Sequence, residues 1–114
     1  MKIKIAEDFS KAPGPRYRTE GKYSGQQFRE DILHPRVLDA LEQGVVLTVD
    51  FDGAFGYGTS FLEEAFGGLI RENQICRAKL SSLFQFVSYE QPELIVEINA
   101  FMDQAERERD DHEG

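Results

Sequence analysis

The fold of this 114-residue chain is decided by one apolar stretch, VVLTVDF, at residues 45–51. Its apolar side chains fall on both faces of an extended strand, which is typical of a central strand buried on two sides. The next seven residues, DGAFGYG (52–58), contain three glycines and predict a loop. Apolar residues then recur at helical spacing from Phe61 to Ile70, so we expect a strand–loop–helix unit. The pair Gly67-Gly68 in this helix predicts close packing against a neighbouring backbone.

Signals on either side of this unit predict the remaining elements. Residues 1–6 alternate Lys and Ile, as an edge strand with one buried face does. Ser24 followed by Gln27 has the spacing of a capping box and predicts a helix start, and Pro35 is expected to break or kink that helix. Residues 84–87 predict a further strand, and a final helix is expected from Pro92.

The order of these elements predicts an α/β fold, with a small mixed β-sheet and helices packed against it. We expect a single domain over residues 1–105, followed by an acidic C-terminal tail, residues 106–114, that is frayed or disordered. Sites in such sheets lie beyond the carboxyl ends of central strands, which here means residues 50–64.

Composition and charge disfavour several classes of protein. The formal net charge of −8 argues against binding to nucleic acid or to anionic membranes. No apolar run approaches the roughly 20 residues of a membrane-spanning helix. The single Cys76 cannot form an internal disulfide, so we expect a cytoplasmic protein. Residues 1–29 carry seven basic and three acidic groups, against the balance of the whole chain, and are the place to look for an anion-binding arginine.

Acidic and hydroxyl side chains are concentrated where the central strand meets its helix. They are Asp50, Asp52, Thr59, Ser60, Glu63 and Glu64. One interpretation is structural, because Ser60 and Glu63 have capping-box spacing and Ser60 would then be the helix N-cap. The other is functional, because the free amides of a helix N-terminus after a glycine-rich loop favour an anion, such as a phosphoryl group on Thr59 or Ser60.

Catalysis and cofactor binding have little support in the sequence. The acids of the junction are possible oxygen ligands for Mg²⁺, but clusters of this kind are commonly solvated, and we expect no metal. No nucleophile–base pair is visible, so we expect no catalytic residue and no cofactor. An enzyme that uses Asp52 or Glu63 as a base is a minor alternative.

The stretch VDFDGAFGYGTSFLEEAFGGL, residues 49–69, resembles the STAS-like domain family of unknown function. The resemblance extends from about residue 14 to residue 105. More distantly, the junction resembles the STAS domain of sulfate transporters and anti-sigma factor antagonists, in which an Asp-Ser-Ser-Gly stretch opens the helix and an ATPase kinase phosphorylates its first Ser. Gly58-Thr59-Ser60-Phe61 occupies that place, so Thr59 matches the acceptor and Ser60 the second Ser, while Gly58 and Phe61 depart from the pattern.

The resemblance implies a regulatory protein-binding module rather than an enzyme. We expect it to dock a protein partner, for example a histidine-kinase-type ATPase, through residues 52–64, with phosphorylation of Thr59 or Ser60 as a switch. The expected partner- or anion-binding residues are Arg16, Arg29, Asp52, Tyr57, Gly58, Glu63 and Glu64. The alternative is a domain that binds a small anionic ligand or a nucleotide at the same helix N-terminus, with Arg16 or Arg29 as counter-charge.

Overall fold

A three-stranded sheet with strand order β1-β2-β3 organises the protein. The computed structural model describes the backbone of residues 1–113 and the side chains of residues 1–110. The strands are β1 (Lys2–Lys4), β2 (Leu47–Asp50) and β3 (Phe84–Val87). The α/β class is confirmed, as is β2 as the central strand. The prediction of a mixed sheet was wrong: both pairs are parallel, because helices connect each strand to the next and return the chain to the same end of the sheet.

Over residues 1–113, five helices accompany the sheet, and two of them contain a π-helical turn. Helix α1 is Ile5–Asp8, and a 3₁₀ turn follows at Arg18–Glu20. Helix α2 joins Gly25–Phe28, the π-helical turn Arg29–Leu33 and His34–Gln43. Helix α3 joins Thr59–Leu62, the π-helical turn Glu63–Gly67 and Gly68–Arg71. Helix α4 is Arg77–Leu83 and α5 is Glu93–Glu113. The break expected before Pro35 is absent: the helix continues from Gly25 to Gln43, and a π-helical turn precedes the proline.

The sheet buries one face under the helices. Its register aligns Ile3, Val49 and Phe86 in one row, and these side chains belong to the core or pack against it. The opposite face carries Lys2 and Gln85, which are exposed. The prediction that residues 45–51 are buried on two sides was therefore wrong in part. Residues 45 and 46 lie before β2 and are exposed, and the second face of the sheet is polar except for Val87 in β3.

Glycine brings α2 and α3 into close contact. A Cβ on Gly68 would lie 2.5 Å from Nε of Arg29, and a Cβ on Gly25 would lie 2.5 Å from the carbonyl oxygen of Phe61. Only glycine fits at either position. The backbone of α3 at Gly68 therefore packs against the Arg29 side chain, and the backbone of α2 at Gly25 packs against the backbone of α3. The close packing predicted at Gly67-Gly68 is confirmed, but the neighbour is the Arg29 side chain at Gly68 rather than a backbone.

The C-terminal helix continues past the predicted end of the domain. Helix α5 runs to Glu113, and Glu106 accepts a hydrogen bond of 2.8 Å from the amide of Arg77 at the start of α4. The predicted frayed tail of residues 106–114 is thus helical up to Glu113, while Gly114 lies outside the described residues. Within the described part of the chain, no helix has the length and apolar character needed to cross a membrane.

Candidate functional site

The loop between β2 and α3, residues 52–58, is held in place by the carboxylate of Asp52. This carboxylate accepts hydrogen bonds from the amides of Tyr89 (3.2 Å) and Glu90 (3.0 Å) in the loop that follows β3. The amide of Asp52 donates in turn to Asp50, at 2.9 Å. Gly53 has a φ of 91°, a conformation that favours glycine, and its amide donates to the Glu90 carboxylate. Asp52 therefore joins two loops at the carboxyl end of the sheet through hydrogen bonds.

Tyr57 fixes the second half of this loop. Its hydroxyl donates a hydrogen bond of 2.8 Å to the carbonyl oxygen of Phe51, and its half-buried ring packs edge-on against the Phe51 ring, with centroids 5.4 Å apart. Burial raises the pKa of Tyr57 well above its ordinary value, and the nearby carboxylates of Asp50, Asp52 and Glu90 raise it further. The phenol is therefore a neutral hydrogen-bond donor that holds the loop against the core.

Between these two fixed points, the loop presents an aromatic side chain to solvent. Phe55 is 86% exposed, as is Tyr89 in the neighbouring loop. Phe55 also lines a cavity of about 210 Å³ between the two loops. The other lining residues are Phe51, Asp52, Ala54, Ser88, Glu90 and Gln91. The ionisable groups of this cavity are acidic, so its charge disfavours an anionic ligand.

Helix α3 begins without a side-chain cap. Gly58 is the N-cap residue, and Thr59 and Ser60 are exposed in the first turn. The prediction that Ser60 is the N-cap was wrong, because the helix begins at Thr59 and Ser60 lies inside it. Among the described residues, nothing in the protein accepts from the amides of Thr59, Ser60 or Phe61. The first turn thus combines two free hydroxyls with three free amides.

Glu63 does not return to the helix start because two arginines bind its carboxylate. Arg71 donates from Nη1 to Oε2 at 2.8 Å and from Nη2 to Oε1 at 3.3 Å, and Arg16 also donates to Oε1. Burial alone would raise the pKa of Glu63, but the hydrogen bonds from Arg71 and Arg16 outweigh burial and hold this pKa below its ordinary value. The pKa of Arg71 is raised by the same contact, against the opposing effect of its burial. Both groups are charged at neutral pH.

Glu64 and Arg29 form a second, buried ion pair next to the first. Their side chains are 4% and 5% exposed, and Arg29 Nη2 lies 2.8 Å from Glu64 Oε2. Arg29 also donates to the Glu64 carbonyl oxygen at 3.3 Å and to Asn73 at 3.2 Å. Each partner comes from a π-helical turn, so the pair joins α2 to α3. The expectation that Arg29 offers its guanidinium to an external anion does not fit this position, since its donors are engaged inside the protein.

The predicted site residues therefore fall into three groups. Arg16, Arg29, Glu63 and Glu64 form one ion-pair cluster, Asp52 and Tyr57 brace the β2–α3 loop, and Gly58, Thr59 and Ser60 form the helix start. Among the side chains described, no three carboxylate, His or Cys groups converge as a metal site.

Arg71 was not among the predicted site residues, yet it binds Glu63 and also approaches Glu64 Oε1 at 3.3 Å. A signal for it exists in the sequence. Arg71 follows Glu64 by seven residues, which is two helical turns and places both on one face of α3.

One comparison with known proteins identifies the family. The model of the STAS-like domain of unknown function (DUF4325) matches residues 24–93, from the N-cap of α2 to the first residue of α5. No curated protein and no solved structure matches the chain significantly. Since the matched region contains β2, the β2–α3 loop, the ion-pair cluster except Arg16, and β3, the chain belongs to the STAS-like domain family of unknown function.

Proposed function

We propose that this chain is a cytoplasmic regulatory module that docks a protein partner through Phe55 and the first turn of α3. The partner we infer is a histidine-kinase-type ATPase, and Thr59 or Ser60 is the residue it phosphorylates. The module contributes a surface and a phosphoryl acceptor, and no catalytic group of its own.

The observation that carries this proposal is the exposure of Phe55. A large aromatic side chain that is 86% exposed has no folding role in the free protein, and aromatic residues are enriched at the centres of interfaces. The loop on either side of it is braced by Asp52 and by Tyr57. A braced loop loses little conformational freedom on binding, which favours affinity.

The helix start next to this loop supports a phosphoryl acceptor. Thr59 and Ser60 are exposed and take no part in capping, so an enzyme can reach either hydroxyl without unfolding the helix. A phosphoryl group there gains from the free amides and the positive end of the helix dipole. Its charge of about −2 would also change a surface that now consists of Phe55, glycines and hydroxyls.

The charges of the site favour a protein partner over a small anionic ligand or nucleotide. Asp52 and Glu90 line the cavity beside Phe55, so this cavity repels an anion. The guanidinium of Arg29 is buried and bound to Glu64, and that of Arg16 is bound to Glu63. The counter-charges that a nucleotide site needs are thus engaged in pairs.

The test is a binding measurement with two surface variants. A purified histidine-kinase-type ATPase from the organism that supplies this chain is titrated with wild-type protein and with Phe55→Ser. Phe55→Ser is expected to weaken binding at least about tenfold, the loss typical of a central interface aromatic. The control is Val96→Ser on α5, where an apolar residue is 72% exposed on another element, and it should bind as wild type does. Equal affinity of wild type and Phe55→Ser would refute the proposed surface.

A further inference from the structure

The segment of residues 10–23, here called the N-terminal strap, lies against both parts of the proposed docking surface and outside the family match. On one side, the amide of Phe55 donates a hydrogen bond of 2.7 Å to the carbonyl oxygen of Lys11. On the other side, Arg16 is paired with Glu63 on α3. The strap therefore contacts the chain four residues before Thr59 and four residues after it.

The strap is closed on itself at its base. The amide of Gly14 donates a hydrogen bond of 2.8 Å to the carbonyl oxygen of Tyr23. A Cβ on Gly14 would lie only 2.3 Å from the carbonyl oxygen of Lys22, so this closure requires glycine. Tyr23 has a φ of 57°, a left-handed conformation that is strained for a residue other than glycine. A strained, exposed segment of this kind is held by its contacts rather than by its own conformational preference.

Arg16 ties the strap to the ion-pair cluster, mainly through Glu63, and this contact is inexpensive to lose. The side chains of Arg16 and Glu63 are 27% and 23% exposed, whereas the Arg29–Glu64 pair is buried. If Arg16 moves away, Arg71 still holds both oxygens of the Glu63 carboxylate. The Arg16–Glu63 contact can thus be released while the buried Arg29–Glu64 pair stays in place.

We propose that the N-terminal strap positions the β2–α3 loop for partner binding, and that the Arg16–Glu63 ion pair ties the strap to α3. The inference rests on the proposed docking function for its consequence, since a loosened loop must be ordered again when the partner binds. The coupling of Arg16 to Phe55 is a property of the free chain and can be measured without a partner. Arg16 acts here as a positioning residue, through the strap, on the loop that carries Phe55.

The first experiment uses the chain without a partner. Hydrogen exchange is followed by NMR for the amide of Phe55 in wild type and in Arg16→Gln. Loss of an ion pair that is partly exposed should raise the exchange rate of this amide about three- to tenfold, while the amides of β2 keep their wild-type rates. The charge-matched control is Arg107→Gln on α5, where the Arg107 guanidinium donates a hydrogen bond to Gln104. This variant should change the exchange rates of neither the Phe55 amide nor the β2 amides.

A second variant tests the strap at a distance from the docking surface. Gly14→Ala places a Cβ against the Lys22 carbonyl and disrupts the base of the strap without touching α3. We expect it to raise the exchange rate of the Phe55 amide at least as much as Arg16→Gln does. Wild-type exchange at Phe55 in both variants, with the amides of β2 unchanged, would overturn the inference.

The partner measurement separates this inference from the docking proposal. In titrations with the same ATPase, Arg16→Gln and Gly14→Ala should both bind about three- to tenfold more weakly than wild type, in proportion to their effect on exchange. If wild type itself does not bind, the docking proposal fails while the exchange result stands. If wild type binds and both variants bind equally well, the positioning role is refuted while docking stands.

Discussion

The starts of helices α2 and α3 have the same sequence pattern and opposite environments. Each begins near a Ser followed three residues later by Gln or Glu: Ser24 with Gln27, and Ser60 with Glu63. Ser24 is fully buried and accepts a hydrogen bond of 3.0 Å from the amide of Gln27. Ser60 is exposed and caps nothing.

The difference lies in what covers each helix start. At α2, the strap supplies backbone acceptors: the carbonyl oxygens of Pro15 and Arg16 accept from the amides of Gly25 and Gln26. At α3, no chain segment lies in that position among the described residues. A helix start whose amides are satisfied is structural, whereas one left open to solvent is available for a ligand, a modification or a partner.

The largest effect is expected where the two helices are joined. Arg29→Ala removes the shortest ion pair of the buried Glu64 carboxylate and leaves it the longer 3.3 Å contact from Arg71. This change should lower the free energy of unfolding by about 3 kcal/mol. Arg16→Ala is the matched comparison, because Arg71 still binds Glu63, and it should cost about 1 kcal/mol or less. Urea unfolding of both variants measures the difference. Similar losses of unfolding free energy in the two variants would show that the Arg16–Glu63 contact is as important for stability as the Arg29–Glu64 pair.

A smaller effect distinguishes the two serines directly. Ser24→Ala removes a buried cap and should destabilise the protein by about 1 kcal/mol. Ser60→Ala removes an exposed hydroxyl with no capping role, so its effect should stay within about 0.5 kcal/mol. Both values come from the same urea titrations. A loss of about 1 kcal/mol for Ser60→Ala would mean that the capping interpretation of Ser60 holds in solution.

The sequence predicted the elements whose signals are local. The apolar stretch at residues 45–51 identified the central strand, and the Ser24 pattern identified the start of α2. The mixed sheet was a wrong inference from correct elements, because helical connections between strands already favour parallel pairing.

The candidate site was less predictable because its partners are distant in the sequence. Glu63 has the spacing of a capping box, but Arg16, 47 residues away, and Arg71 bind its carboxylate instead. Arg29 and Glu64, which form the buried ion pair, each lie in a π-helical turn. No residue pattern in the sequence predicts a π-helical turn. The exposure of Phe55 depends on the hydrogen bonds between Asp52 and the loop after β3. These bonds join residues far apart in the sequence, so local sequence patterns do not predict them.

The most direct test of the docking surface is a hydrogen-exchange footprint of the complex with the ATPase. The amides of Thr59, Ser60 and Phe61 have no partner in the described protein and should exchange rapidly in the free chain. We expect the ATPase to slow exchange at these three amides and at Phe55, while the amides at the start of α2 keep their rates. Protection confined to other elements, with the start of α3 exchanging as in the free chain, would contradict this expectation.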